Sequence, residues 1–422
     1  MKLLEKRNAW LVAAENGAIP GGKVGGVGDV IRDLPVALAG QGWNIRVITP
    51  AYGRFHRLPG AVKIGRLAVR FGGALRYAEV WRLSAAPGID PGSENPPVEL
   101  MAIAHPLLDP LGDGLIYHTD GHEHPYATDA SKFAFFNAAV AALVNSDPRP
   151  PEVLHLHDWH TGLLPALRAV AAADSPLARV RLIFTIHNLA YQGIRPLSGN
   201  QSSLEAWFPR MELPLAQLRD PRYPDCVNFM ASAIRLADGL STVSPGYARE
   251  ILRPSDPAHG FMGGEGLEQD LQLAARQRRL VGILNGCSYS GIPYVPVSWD
   301  DLRTGLRRFR NLVNPGNPGL RWLGTPDRPQ HLLTSVGRLV GQKVHLLLHP
   351  VDGYDSALEA LLAQLGPDSL LVLLGSGEAA LQSRLTSIAS SHPNLLFLCG
   401  YAEDLSEQLY RCGDLFLMPS SF

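Results

Sequence analysis

Short apolar, β-branched runs alternate with longer amphipathic ones along most of this chain. WLVAAE, NIRVITP, VLHLHD, RLIFTIHN, GLSTVS and LVGILNG have the length and residue types of buried strands. Between several of them apolar residues recur at helical spacing. Over residues 129–143, Phe133, Phe136, Val140 and Leu143 are spaced 3, 4 and 3 apart and predict one apolar helix face. The alternation predicts a mostly parallel sheet flanked by helices. From about residue 291 to 330 the rhythm lapses among Pro293, Pro296, Pro315, Pro318, Pro326 and Pro329, which predicts a proline-rich linker. It then restarts: HLLTSVGRL, LLVLLG, NLLFLCG and DLFLMP read as strands, with EAALQSRLTSIAS and EDLSEQLYRC as helices between them. The expected division is a first domain over 1–290, a linker over 291–330 and part of a second doubly wound domain over 331–422. No internal repeat or low-complexity tract is present.

Composition narrows the class. Of 422 residues 46% are apolar and 18% charged, as in a soluble globular protein. The formal net charge of -1 gives no global reason to expect nucleic acid or an anionic membrane as partner, so any anion site must be local. The apolar core of the start, Ala9 to Ala14, is cut by Glu15 and too short for a secretory signal; no other stretch is long enough to span a bilayer. Cys226, Cys287, Cys399 and Cys412 lie far apart with no CxxC pattern, so neither a zinc site nor a disulfide framework is expected. The expected location is cytoplasmic, with reduced thiols.

Six stretches carry candidate chemistry. KVGGVGDV follows the first strand and opens a helix; Gly25, Gly26 and Gly28 let backbone amides approach an anion, with Lys23 as an added cation. A flexible strand-to-helix turn is the alternative. In HLHDWH, His155 and His157 fall on one face of a strand, as paired metal ligands would, but the aspartate stands one place early for the HxHxDH motif of metallo-β-lactamase-like hydrolases. Asp158, at a strand's carboxyl end, is better placed to orient a polar ligand. FTIHN puts His187 and Asn188 at the equivalent end of the neighbouring unit. YHTDGHEH, with His118, His122 and His124, reads as a solvated loop. In the second domain GRLVGQK sets Arg338 and Lys343 where a guanidinium fork and a point charge can neutralise a diphosphate, and LLGSGE supplies a glycine turn at Gly375. Polar strand ends in one domain and cations in the other suit a nucleotide-activated sugar.

Taken together these motifs resemble the bacterial glycogen synthases and plant starch synthases. KVGGVGDV, HLHDWHTGLLPAL, FTIHNLAYQG, STVSPGYAREI, GILNG, GRLVGQK, LLGSGE and GYAEDLSEQLYRCGDLFLMPSSF follow one another in that family's order over residues 9 to 422. The resemblance implies a GT-B fold, two Rossmann-like domains facing a cleft with the second incomplete. It implies retaining transfer of glucose from ADP-glucose to the non-reducing end of an α-1,4-glucan in glycogen biosynthesis, with no metal or other cofactor. By the same resemblance Lys23, Gly25 and Gly26 meet the nucleotide sugar; Asp158, His187, Asn188 and Asn285 line the glucosyl pocket; Arg338 and Lys343 grip the diphosphate. Gly375 and Tyr401 fall on the nucleotide side.

The chain departs from the family's pattern in four places. Cys287 and Ser288 stand where an aspartate is usual after NG, and Val344 stands where glycine follows the lysine of QK. HPVDGYDS interrupts the next helix. After MPSSF, which ends at Phe422, the family continues at once with its catalytic glutamate, which residues 1–422 do not contain. The expectation is therefore a truncated chain with weak or no transfer. The alternatives are an inactive remnant that binds nucleotide sugar or glucan, and a GT-B transferase with another donor.

Overall fold

The computed structural model describes residues 7–84, 98–121, 126–256, 261–286 and 296–420. The chain divides into two compact units, residues 1–255 with 263–286, and residues 256–262 with 287–422.

The described strands of the first unit are β1 (Asn8–Val12), β2 (Asn44–Pro50), β3 (Val62–Phe71), β4 (Ala74–Arg82), β5 (Val98–Ala104), β6 (Val153–His157), β7 (Arg181–Ile186), β8 (Ile194–Pro196), β9 (Cys226–Asn228), β10 (Gly239–Thr242) and β11 (Leu280–Gly282). Nine of them form one sheet in the order β11-β10-β7-β6-β1-β2-β5-β4-β3, and β8 pairs with β9 separately. From β11 to β5 every pairing is parallel; β4 and β3 extend that edge as an antiparallel hairpin. The chain runs outward from β1 through β2 and β5, then returns to place β6 on the other side of β1. The order therefore reverses between β1 and β6, and ligands of open α/β sheets bind beyond the strand ends at such a reversal.

Two helices matter to the site. Helix α1 (Gly26–Gly40) follows β1 through the glycine turn, with Asp29 in its first turn. Helix α2 (Ala127–Ser146) has the predicted position but not the predicted single apolar face: Asp129, Lys132 and Asn137 are buried beside Phe133, Phe135 and Phe136. A helix covered on most sides shows weak periodicity, because its polar groups are bonded inside rather than turned to water.

The described strands of the second unit are β12 (Leu332–Val336), β13 (Leu370–Gly375), β14 (Leu395–Cys399) and β15 (Leu415–Phe416), paired in parallel in the order β14-β13-β12-β15. Here the reversal lies between β12 and β15. The two-residue β15 is an edge strand, with Leu415 exposed and Asp414 bonded both to Arg328 (2.5 Å) and to the Leu332 amide (2.8 Å).

The proline-rich stretch needs correcting. Residues 299–308 form a helix, Trp299–Arg308, with a capping box between Ser298 and Asp301. Its Trp299, Leu302 and Leu306 lie in the same buried cluster as Leu332, Leu370, Leu396 and Leu405. The prolines sit around this helix rather than in it, and they mask its 3, 4 spacing. In agreement with the predicted interruption, helix Gly341–Leu348 ends before a turn at Gly353, and a new helix, Ala357–Leu365, starts from the Ser356 cap.

Candidate functional site

Asp158 follows the last residue of β6 and is buried with a backbone φ of 57° and ψ of 178°, a region that glycine alone enters freely. The strain is held by hydrogen bonds from across the sheet. The Asp158 amide donates to the Thr185 carbonyl at 3.0 Å. In return the His187 and Asn188 amides donate to Asp158 Oδ1 at 2.7 and 3.4 Å. One carboxylate thus fixes the end of β7, and Tyr247 fixes it further by accepting the Leu189 amide at 3.1 Å. Burial raises the Asp158 carboxyl to about 7; the two amide bonds oppose that rise and nearby Glu15 adds to it.

His187 is buried too, and its Nε2 shares a hydrogen bond of 3.0 Å with His157 Nδ1. The His155 ring lies 4.2 Å from that of His157, while its Nε2 bonds Thr185 Oγ1 at 2.7 Å. Burial lowers His155 to about 4 and His160 and His187 to about 3, so these imidazoles are neutral at pH 7. The two strand histidines do share a face, and each spends one ring nitrogen on a neighbour, His157 Nδ1 on His187 and His155 Nε2 on Thr185, while His157 Nε2 is buried without a hydrogen-bond partner. Among the described residues no group of three or more His, Cys, Asp or Glu is arranged to hold a metal ion.

The glycine turn is built around a residue that the sequence reading passed over. Glu15, three residues beyond β1, is 3% exposed. Its Oε2 accepts the Val24 and Gly25 amides at 2.8 and 2.6 Å, and its Oε1 accepts the Tyr117 hydroxyl at 2.8 Å. Two amides that the motif offers to an anion are therefore met by an internal carboxylate. Lys23 is exposed and paired with Asp29 at 2.8 Å, and Gly26 has open space around it.

The YHTDGHEH stretch is not a solvated loop at its start. His118 lies against the amino end of α2, its Nδ1 3.1 Å from Asp129 and its Nε2 3.1 Å from Asp113. The wholly buried Lys132 ammonium completes the network with Asp129 at 2.8 Å and the Ile116 carbonyl at 2.6 Å. His122 and His124 lie outside the described residues, as do Cys287 and Ser288. Phe422, after which the family's glutamate is expected, lies outside them too. Asn285 is exposed, its amide donating to the Val243 carbonyl at 3.2 Å.

In the second unit the loops after β12 and β15 border one depression, lined by Gly337, Arg338, Lys343, Met418, Pro419 and Ser420 among others. Arg338 is exposed, and burial lowers the Lys343 ammonium. Gly375 ends β13 where a side chain would be driven into the Gly337 carbonyl oxygen, so it is a packing glycine in the wall of this loop pair. Tyr401 is exposed on the next strand-to-helix connection. The structure thus brings Arg338 and Lys343 to one depression, and Asp158, His187 and Asn188 to one reversal point. Glu15 enters the sequence analysis only as the end of an apolar run and Met418–Ser420 only as the end of a strand, neither with a place in the site. The reversals in strand order are the signal that points to them.

Residues 8–273 match the family model of the starch synthase catalytic domain. A glycogen synthase of Anaeromyxobacter dehalogenans is 35% identical over 423 residues, covering 97% of this chain and 78% of that protein. One of Paracoccus denitrificans is 33% identical over 424 residues, covering 97% and 77%. Among solved structures, the catalytic domain of starch synthase IV from Arabidopsis thaliana, bound to ADP and acarbose, matches with a TM-score of 0.70 and 26% identity over 99% of this chain and 78% of that one. The fold is that of a GT-B glycosyltransferase, with a nine-strand main sheet and a smaller four-strand parallel sheet. The chain belongs to the glycogen synthase and starch synthase family. No helix among the described residues is long and apolar enough to cross a membrane.

Proposed function

We propose that this protein transfers glucose from ADP-glucose to the non-reducing end of an α-1,4-glucan, with retention of configuration. The observation that carries the reading is the Asp158 cluster at the reversal of the first sheet, in a chain whose starch synthase relative was solved with ADP and acarbose. Breaking the bond from glucose to phosphate builds negative charge on the departing diphosphate and oxocarbenium character on the sugar. Arg338 and Lys343 meet the first. Asp158, with His187, Asn188 and Asn285, positions the second, while Lys23 with Gly25 and Gly26 approaches the nucleotide sugar. Gly375 and Tyr401 lie on the nucleotide side. The acceptor hydroxyl's proton passes to the leaving phosphate on the same face of the sugar, so no protein nucleophile is required.

Two measurements test the proposal. Calorimetric titration with ADP-glucose is expected to show binding; no binding would overturn the assigned donor. Labelled glucose is expected to pass from ADP-glucose into glycogen through a linkage that keeps the α configuration; incorporation from UDP-glucose but not from ADP-glucose, or an inverted linkage, would overturn the assigned reaction.

A further inference from the structure

We propose that Glu15 is a positioning residue for the sugar-nucleotide donor: its buried carboxylate grips the Val24 and Gly25 amides with one oxygen and the Tyr117 hydroxyl with the other, and so sets Lys23 and the glycine turn for the donor. The inference rests on the reading of Lys23 as a donor contact. A carboxylate excluded from water is costly unless donors meet it, and here three do, at 2.8, 2.6 and 2.8 Å. The Val24 amide belongs to the peptide group that leaves Lys23, so the bond to Glu15 fixes the backbone from which that lysine extends. The first amides of α1, which no helix satisfies internally, follow directly.

The glycines of the motif make sense against this carboxylate. A Cβ at Gly28 would stand 3.2 Å from Glu15 Oε2 and 3.0 Å from Lys23 Cγ. At Gly25 it would stand 3.5 Å from Glu15 Oε1. On the other side, Tyr117 is stacked 5.2 Å from His160 and is followed by His118, which the Asp129 and Lys132 network holds. Glu15 therefore joins the turn after β1 to the loop at Tyr117, and His160 comes two residues after Asp158. Its charge also reaches Asp158, where it adds to the upward shift of that carboxyl.

The test is calorimetric titration of the full chain and its variants with ADP-glucose and, separately, with maltoheptaose. Glu15→Gln keeps an oxygen for both amides and offers its NH2 to the Tyr117 oxygen, so binding of ADP-glucose is expected within threefold of the original. Glu15→Ala is expected to weaken ADP-glucose at least tenfold and leave maltoheptaose unchanged. Tyr117→Phe, which removes one bond and keeps the ring, is expected to fall between; it carries the test should Glu15→Ala fail to fold. Because Glu15 acts through Lys23, the double variant Glu15→Ala with Lys23→Ala is expected to bind no worse than Lys23→Ala alone. Additive losses, equal weakening of both ligands, or original affinity in Glu15→Ala and Tyr117→Phe would each overturn the proposal. If the original chain fails to bind ADP-glucose, the donor reading falls and this inference with it.

Discussion

Asp158 combines a backbone conformation suited to glycine with a side chain that the site requires. The two demands pull against each other, and substitution separates them. Glycine relieves the strained φ but loses the carboxylate; alanine loses the carboxylate and keeps the strain. Asp158→Gly is therefore expected to be more stable than Asp158→Ala by about 1 kcal/mol, measured by urea unfolding, with glucose transfer lost in both where the original chain shows it. Equal stabilities would mean that the backbone relaxes freely at this position. Asp158 and His187 are legible in the sequence because they end apolar runs, and the carboxyl ends of parallel strands are where such folds bind ligands. Glu15 is not legible. Its partners stand 9, 10 and 102 residues away, and nothing local distinguishes a buried glutamate from a solvated one.

Elements were predicted where burial on both faces leaves an unbroken apolar run. β1, β2, β6, β7 and β10 of the first sheet are largely of that kind, as are β12, β13 and β14 of the second, whereas β11, at the sheet edge with Val281 exposed, shows that an apolar run can also mark a half-covered strand. β3 and β4 were missed because their exposed face interleaves charge, as in KIGRLAVRF, and breaks the run. Their turn at Gly72 and Gly73, both at positive φ, is a hairpin signal that could have found them. The helix Trp299–Arg308 was hidden by the prolines on either side. LLGSGE looked like a weak ligand turn, and its glycines have a packing reason: side chains at Gly375 and Gly377 would collide with the Gly337 and Leu339 carbonyl oxygens. The loops are also joined by hydrogen bonds, Leu339 amide to Ser376 carbonyl at 2.9 Å and Glu378 amide to Leu339 carbonyl at 2.8 Å. Gly375→Ala is expected to destabilise the second unit by about 2 kcal/mol, since backbone oxygens cannot move aside as a side chain can. Gly337→Ala in the same loop meets nothing within 4 Å and has no positive φ, so its change is expected to stay within about 0.5 kcal/mol. Denaturant unfolding of the two variants decides the matter; equal effects would show that the loop contact is not tight.

At the scale of the whole chain the two units differ most in their buried titratable groups. The first buries His157, His160 and His187 with Asp158, and His155 beside them; the buried polar residues described in the second include no histidine. Each of those histidines has its folded pKa depressed, to about 4 for His155 and about 3 for His160 and His187, with His157 also well below its ordinary value. A depressed histidine favours folding fully above its unfolded pKa of about 6.5 and loses that contribution as pH falls toward the folded value. Asp158 works in the opposite sense. Its folded pKa of about 7 exceeds the unfolded value of 3.8, so its contribution weakens as pH rises between those limits. Between pH 4 and 6.5, unfolding the first unit therefore takes up protons at the histidines and releases one at Asp158. Each net proton is worth about 1.4 kcal/mol per pH unit, so the histidines prevail. Scanning calorimetry from pH 7.5 to 4.5 is expected to show the first unit's transition falling steeply below about pH 6.5 and the second unit's moving less. His187→Gln removes one of the protons taken up, and its transition is expected to fall less steeply than that of the original chain. Parallel movement of the two transitions would show that the imidazole cluster is open to water in the folded protein.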